Sequence, residues 1–259
     1  MSRARTIRQS SSGLSDPVRD AAKKAAWVCV LFPLLAAGVS YAAYADDLAV
    51  SEWPWRIAVV VMVVSLAALG VLLTRARGSN LLWVFGLTQC IGFFVLYFFF
   101  GVFGYFFLFL FAPLPPQVRW PGLLGGIAIT GYWLYMSRKN VLRVVEHTAF
   151  IGKAFEEQAA EFQYGMEAGM QQFERLSTEK SPFPRLFALV VACIAPLYLI
   201  VQRVLTASFG TPGVLFFLAV MGMPVSLWFA GLLVRIYIIM VALPARLRRE
   251  HNKPVVVAR

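Results

Sequence analysis

Apolar stretches long enough to cross a bilayer recur along this chain, and a soluble fold could not bury all of them. Spanning a hydrocarbon core of about 30 Å takes roughly 20 apolar residues rising 1.5 Å each. The first such stretch runs from Ala25 to Tyr44 and the second from Ile57 to Thr74. A third, unusually long, runs from Leu81 to Ala112, and a fourth from Leu123 to Met136. Two more follow, from Phe183 to Gln202 and from Val214 to Ala242. No charged residue falls in the first four. Arg203 and Arg235 sit at the ends of the last two, where a long side chain can snorkel to the headgroups. Composition agrees: 59% of the 259 residues are hydrophobic and only 14% charged, against about a quarter charged in soluble domains. The expected fold is all-α, a polytopic membrane protein of about six transmembrane helices.

The cations fix an orientation. Arg3, Arg5, Arg8, Arg19, Lys23 and Lys24 precede the first stretch, and Arg75 and Arg77 follow the second. Arg138, Lys139, Arg143, Lys153, Arg175, Lys180 and Arg185 lie around the connection between the fourth and fifth, and Arg246, Arg248, Arg249, Lys253 and Arg259 close the chain. With six crossings all of these fall on one side, which the positive-inside rule makes cytoplasmic. The other side keeps Asp46, Asp47 and Glu52, with Trp53, Trp55 and Trp120 as its aromatic belt; Trp27, Trp83 and Trp133 fit the inner belt. Both termini are therefore expected in the cytoplasm, across an inner membrane. The formal charge of +11 is accounted for by topology, and no nucleic-acid partner is expected. Membrane lipid is.

The expected organisation is a basic, Ser-rich tail over residues 1–24, four spans over 25–137, a cytoplasmic helix over 138–182, two spans over 183–242 and a basic tail over 243–259. Two alternatives stay open. Ala43-Tyr44-Ala45 before Asp46 has the form of a signal-peptidase site. The Phe- and Tyr-rich stretch from Leu81 to Ala112 is either one steeply tilted helix or a helix broken near Gly101 and Gly104. Within the last span Gly222, Ser226 and Ala230 repeat at every fourth residue, a small-residue stripe that lets a neighbouring helix approach closely. Pro33, Pro196 and Pro224 are expected to kink their spans.

The segment from Arg138 to Lys180 holds no proline, so helix can continue out of the fourth span. Phe155, Phe162, Met166, Phe173 and Leu176 follow steps of sevens, fours and threes, the spacing of a heptad seam. Glu156, Glu157 and Glu161 give the same segment an acidic face. Gly165 and Gly169 weaken intrinsic helicity by about 1 kcal/mol each while permitting close approach. Such a helix is expected to dock on another: a second copy of the chain, the returning chain itself, another subunit of a membrane complex, or a cytosolic partner with a basic surface.

Chemistry is sparse. The two histidines, His147 and His251, both fall on the cytoplasmic side, which disfavours intramembrane haem. No carboxylate lies within a span, where ion-coupled transporters usually keep one. Cys29, Cys90 and Cys193 stand apart, without metal-ligand or redox spacing. No nucleotide or zinc-protease motif occurs. No catalytic residue, cofactor or metal is therefore expected. The functional expectation is a non-catalytic scaffold or assembly subunit of a larger envelope complex, of secretion or conjugation type. The alternatives are a permease or channel subunit served by a separate ATPase, and an immunity protein against a membrane-active toxin.

Overall fold

The computed structural model describes residues 17–76, 80–158, 160–177 and 198–258. It is mostly helical, and four of its helices are long and apolar enough to cross a membrane: Pro17–Asp47, Trp53–Arg75, Leu82–Phe111 and Arg203–His251. We number the α-helical elements α1 (Pro17–Ser40, widening to a π-helix over Tyr41–Asp47), α2 (Trp53–Arg75) and α3 (Leu82–Phe111). They continue with α4 (Pro116–His147), α5 (Phe150–Ala154), α6 (Met166–Leu176), α7 (Tyr198–Tyr237) and α8 (Leu243–His251). A π turn over Ile238–Ala242 joins the last two. The fourth apolar stretch lies within α4, whose 32 residues reach about 48 Å. Of the fifth, only the part from Tyr198 onward is described.

The long third stretch is one continuous helix. Its middle, Phe98–Phe106, is wound as a π-helix around Gly101 and Gly104, so the glycines widen the turn without breaking it. The aromatics of this element pack on one another and on α7; the Phe100 and Phe229 rings stack at 5.7 Å. Prolines take two roles: Pro54 and Pro116 open helices, where the missing N–H costs nothing, whereas Pro33, Pro121, Pro212 and Pro224 lie inside them and Pro244 follows directly on a π turn. The break in α7 is at Gly210, whose φ of 64° admits no ordinary side chain cheaply. There the Thr211 hydroxyl donates to the Asp47 carboxylate at the far end of α1.

Helix α3 is central: α1, α2 and α7 pack on it, and α4 packs on α7. Two apolar cores result. One, at the Asp47 end, gathers Tyr44, Phe98, Phe103, Phe107, Leu108 and Leu215. The other, at the opposite end, gathers Val18 and Ala21 of α1, Leu82 of α3, Val144 of α4 and Met240 beyond α7.

That second core also holds a small cap, and here the structure corrects the expectation of one heptad-patterned helix over 138–182. Helix α4 continues to His147 and stops, with Thr148 extended (φ −129°, ψ 169°). After α5 the chain forms β1 (Phe155–Glu157) and β2 (Phe162–Tyr164), which pair antiparallel. The C-terminal β3 (Val255–Val257) adds to β2 in parallel, with Phe162 opposite Val255 and Tyr164 opposite Val257. Val257 N–H donates to the Asn80 carbonyl at 3.0 Å, stitching the tail to the α2–α3 connection. The physical reason is local and non-local together. Gly165, extended just before α6, disfavours helix there, and Val255, Val256 and Val257 supply a β-branched partner strand.

Candidate functional site

In a strand, alternate residues face the same way. Accordingly Phe162, Tyr164, Val255 and Val257 point together into the cap core, while Gln163 and Val256 are less buried. Phe155 and Phe162 are 4% and 6% exposed, and Phe173 of α6 is 3% exposed. Met166 and Leu176 pack half-buried against the same core. Of the residues expected to face a partner, Phe155, Phe162 and Phe173 thus face this chain's own interior. Phe173 lies edge-on to Phe150 at 6.2 Å and under the Arg235 guanidinium at 5.1 Å. Asn140 donates to the Ser177 hydroxyl at 2.8 Å, fixing the end of α6 to α4.

The acidic face divides. Glu156 and Glu157 are exposed and Glu161 half-exposed. Glu157 accepts from Lys253 Nζ at 2.7 Å, and that bond, with the ammonium charge, holds its carboxyl below the usual range. Glu161 accepts from the Gln163 amide at 3.0 Å. Burial pushes the Tyr164 hydroxyl up to about 12, so it stays neutral in the packed cap.

The small-residue stripe lies between α7 and α3. Ser226 and Ala230 are buried, and a Cβ on Gly222 would sit 3.0 Å from the Phe100 carbonyl oxygen. A Cβ on Gly101 would meet Ser226 Cβ at 3.1 Å. The stripe is thereby filled within the chain.

Among the described residues, a groove remains open. In packing order the helices run α2, α3, α7, α4, so α2 and α4 are its walls and α3 and α7 its floor. Val60, Val64, Ser65 and Ala68 line it from α2, and Leu87, Cys90, Ile91 and Phe94 from α3. Leu134, Tyr135, Arg138 and Leu142 line it from α4, and Leu233, Val234 and Tyr237 from α7. Its volume is about 1220 Å³. Ser65 already donates to the Val61 carbonyl at 2.7 Å, so the lining is in effect hydrocarbon. Arg138 is its one charged residue, and it has no ion pair among the described residues. No sequence pattern marked these residues. Each helix shows only ordinary lipid-facing side chains, and the groove arises from how four of them pack.

No group of three or more His, Cys, Asp or Glu side chains that could hold a metal ion occurs among the described residues. The architecture defines a class: a mostly helical protein with several helices long and apolar enough to cross a membrane, consistent with a membrane protein, and a small α+β cap at one end. Searches against family models, characterised proteins and solved structures return no match. Function must therefore be argued from the groove and the cap themselves.

Proposed function

We propose that this chain is a non-catalytic inner-membrane subunit that holds a transmembrane helix of another subunit in the groove between α2 and α4. The observation carrying this reading is the groove's size and chemistry together. A helix about 10–12 Å across rising 1.5 Å per residue would fill 1220 Å³ with about 7–10 residues. That is two to three turns, a contact long enough to set register. The lining offers shape and dispersion, which drive helix association where lipid removes the hydrophobic advantage. Arg138, at the cap side of the groove, suits a carboxylate near the end of the partner's span. The docking role thus moves from the cytoplasmic segment into the membrane, and the cap becomes the clamp that holds the ends of α1, α3, α4 and α8 together.

Six crossings, with the cap and both termini in the cytoplasm, belong to the same proposal. The positions of Ser177 and Thr211, which lie on either side of the undescribed residues, support the count. Ser177 is tied to the cap through Asn140, whereas Thr211 is tied to Asp47 at the opposite end. The chain must pass from one end to the other between them. Reporter fusions after Leu48 and Ser208 should read periplasmic, and one after Arg259 cytoplasmic. A periplasmic signal at Arg259 would reverse the orientation.

The groove is tested by placing a photo-cross-linking residue at Val64 or Leu134 in native membranes, with Leu31 and Leu34 on the exposed face of α1 as controls. The expected product is an adduct with an apolar membrane-spanning peptide of a second protein, formed only from the groove positions. Ala68→Trp, which fills the groove, should reduce it by about tenfold, a loss of about 1.4 kcal/mol. Adducts with lipid alone, or with residues 183–197 of the same chain, would overturn the reading.

A further inference from the structure

A second cavity lies apart from the groove, at the corner where α8 ends and the chain turns back into β3. Its volume is about 580 Å³, and Trp83, Ala245, Arg248, Arg249, Asn252 and Pro254 are among the residues that line it. Helix α8 closes at Asn252, which takes the left-handed conformation (φ 54°) while its N–H donates to the Arg248 carbonyl at 2.9 Å. Pro254 then leads into the strand that pairs with the cap.

The charges around this corner are unevenly satisfied. Arg246 is paired with Glu250 at 2.8 Å, and Lys253 with Glu157 at 2.7 Å. Arg248 and Arg249 have no ion pair among the described residues, and both line the cavity. The carboxyl end of α8 carries partial negative charge, which favours the two arginines where they stand and offers an anion nothing. Attraction for an anion must therefore come from the side chains. Guanidinium groups match phosphate oxygens in planar, bidentate fashion.

The level of the cavity identifies the source of the phosphate. Trp83 is the second residue of α3, half-buried where that helix emerges from the bundle into the cap. An indole at a helix end marks the headgroup layer. Val241 and Pro244 line the same cavity, giving it an apolar side toward the membrane core. We propose that this cavity binds the phosphate of an anionic phospholipid from the leaflet on the cap side, with Arg248 and Arg249 as its ligands. The inference rests on the chain crossing a bilayer with its cap at the anionic face, and not on a protein partner in the groove.

The test is retention of phosphatidylglycerol through purification from bilayers of phosphatidylcholine with added phosphatidylglycerol, read by mass spectrometry of the intact protein. R248Q/R249Q should lose about tenfold or more of the retained lipid, as expected for two cations acting at the surface. R246Q, on the same helix but already paired, should retain it. Protection of a Val257→Cys thiol reports that the cap is still folded in each variant. Equal loss in R246Q would reduce the effect to bulk surface charge and overturn the site. Equal retention in R248Q/R249Q and the unaltered protein would overturn it as well, and displacement of the lipid by inorganic phosphate would reassign the cavity to a soluble ion. Ala68→Trp should leave retention unchanged, which separates this site from the groove. If the protein fails to partition into the bilayer at all, it is the membrane reading that falls.

Discussion

Phe162→Ala combined with Phe173→Ala is expected to unfold the cap and free the C-terminal strand, while the membrane helices still insert. Both rings are buried in the cap core. Phe162 sits opposite Val255 in the sheet, with Lys253 Nζ 5.8 Å from its ring centre. Phe173 separates Phe150 from Arg235. A buried Phe→Ala change costs about 3–5 kcal/mol, and two of them approach the whole stability of a small domain, about 5–15 kcal/mol. The measurement is maleimide labelling of Val257→Cys in a background lacking Cys29, Cys90 and Cys193. Val257 is 3% exposed, so its thiol is protected in the folded cap and should become fully reactive in the double variant. Charge reversal at the exposed Glu156 should leave protection intact, since surface charges contribute about 0–1 kcal/mol. A protected thiol in the double alanine variant would show that the two rings do not hold the cap together.

Gly86→Leu is expected to do comparable damage inside the bundle. A Cβ there would stand 2.7 Å from Met240 Cβ and 3.0 Å from the Met240 carbonyl oxygen. Neither is the end of a flexible side chain, so α3 and the Ile238–Ala242 turn must separate to admit it. Overpacking usually costs about 1–3 kcal/mol, and rigid neighbours put this site at or above the upper end. Gly222→Leu, against the Phe100 carbonyl at 3.0 Å, should behave alike. Gly70→Leu and Gly38→Leu are the controls, because a Cβ at either position meets nothing within 4 Å. Thermal stability in detergent and the yield of monodisperse protein are the readouts. Equal behaviour of Gly70→Leu and Gly86→Leu would mean that the α3 contact does not limit assembly.

Local sequence determined the helices, for a reason that needs no partner. In hydrocarbon an unpaired backbone group costs several kcal/mol, and helix satisfies every one within its own segment. A run of apolar residues such as Val59 to Val64 thus commits α2 before any neighbour is present. The close approach of Gly222 and Ser226 was legible for a similar reason, since spacing by four places small residues on one helical face.

Tertiary structure decided the cap and the groove. Phe155, Phe162 and Phe173 fit a heptad seam as well as they fit a strand, a strand and a separate helix, because periodicity alone does not distinguish these over so few positions. The choice falls to Val255–Val257, about 90 residues away in sequence, whose backbone groups pair with β2 only once the last helix has brought them to the same end. The apolar lining of the groove was visible only as lipid-facing surface. Nothing in Val64, Leu87, Leu134 or Leu233 alone separates a side chain that meets lipid from one that walls a cavity. That difference is set by the spacing of α2 and α4 across α3 and α7, which no single segment encodes.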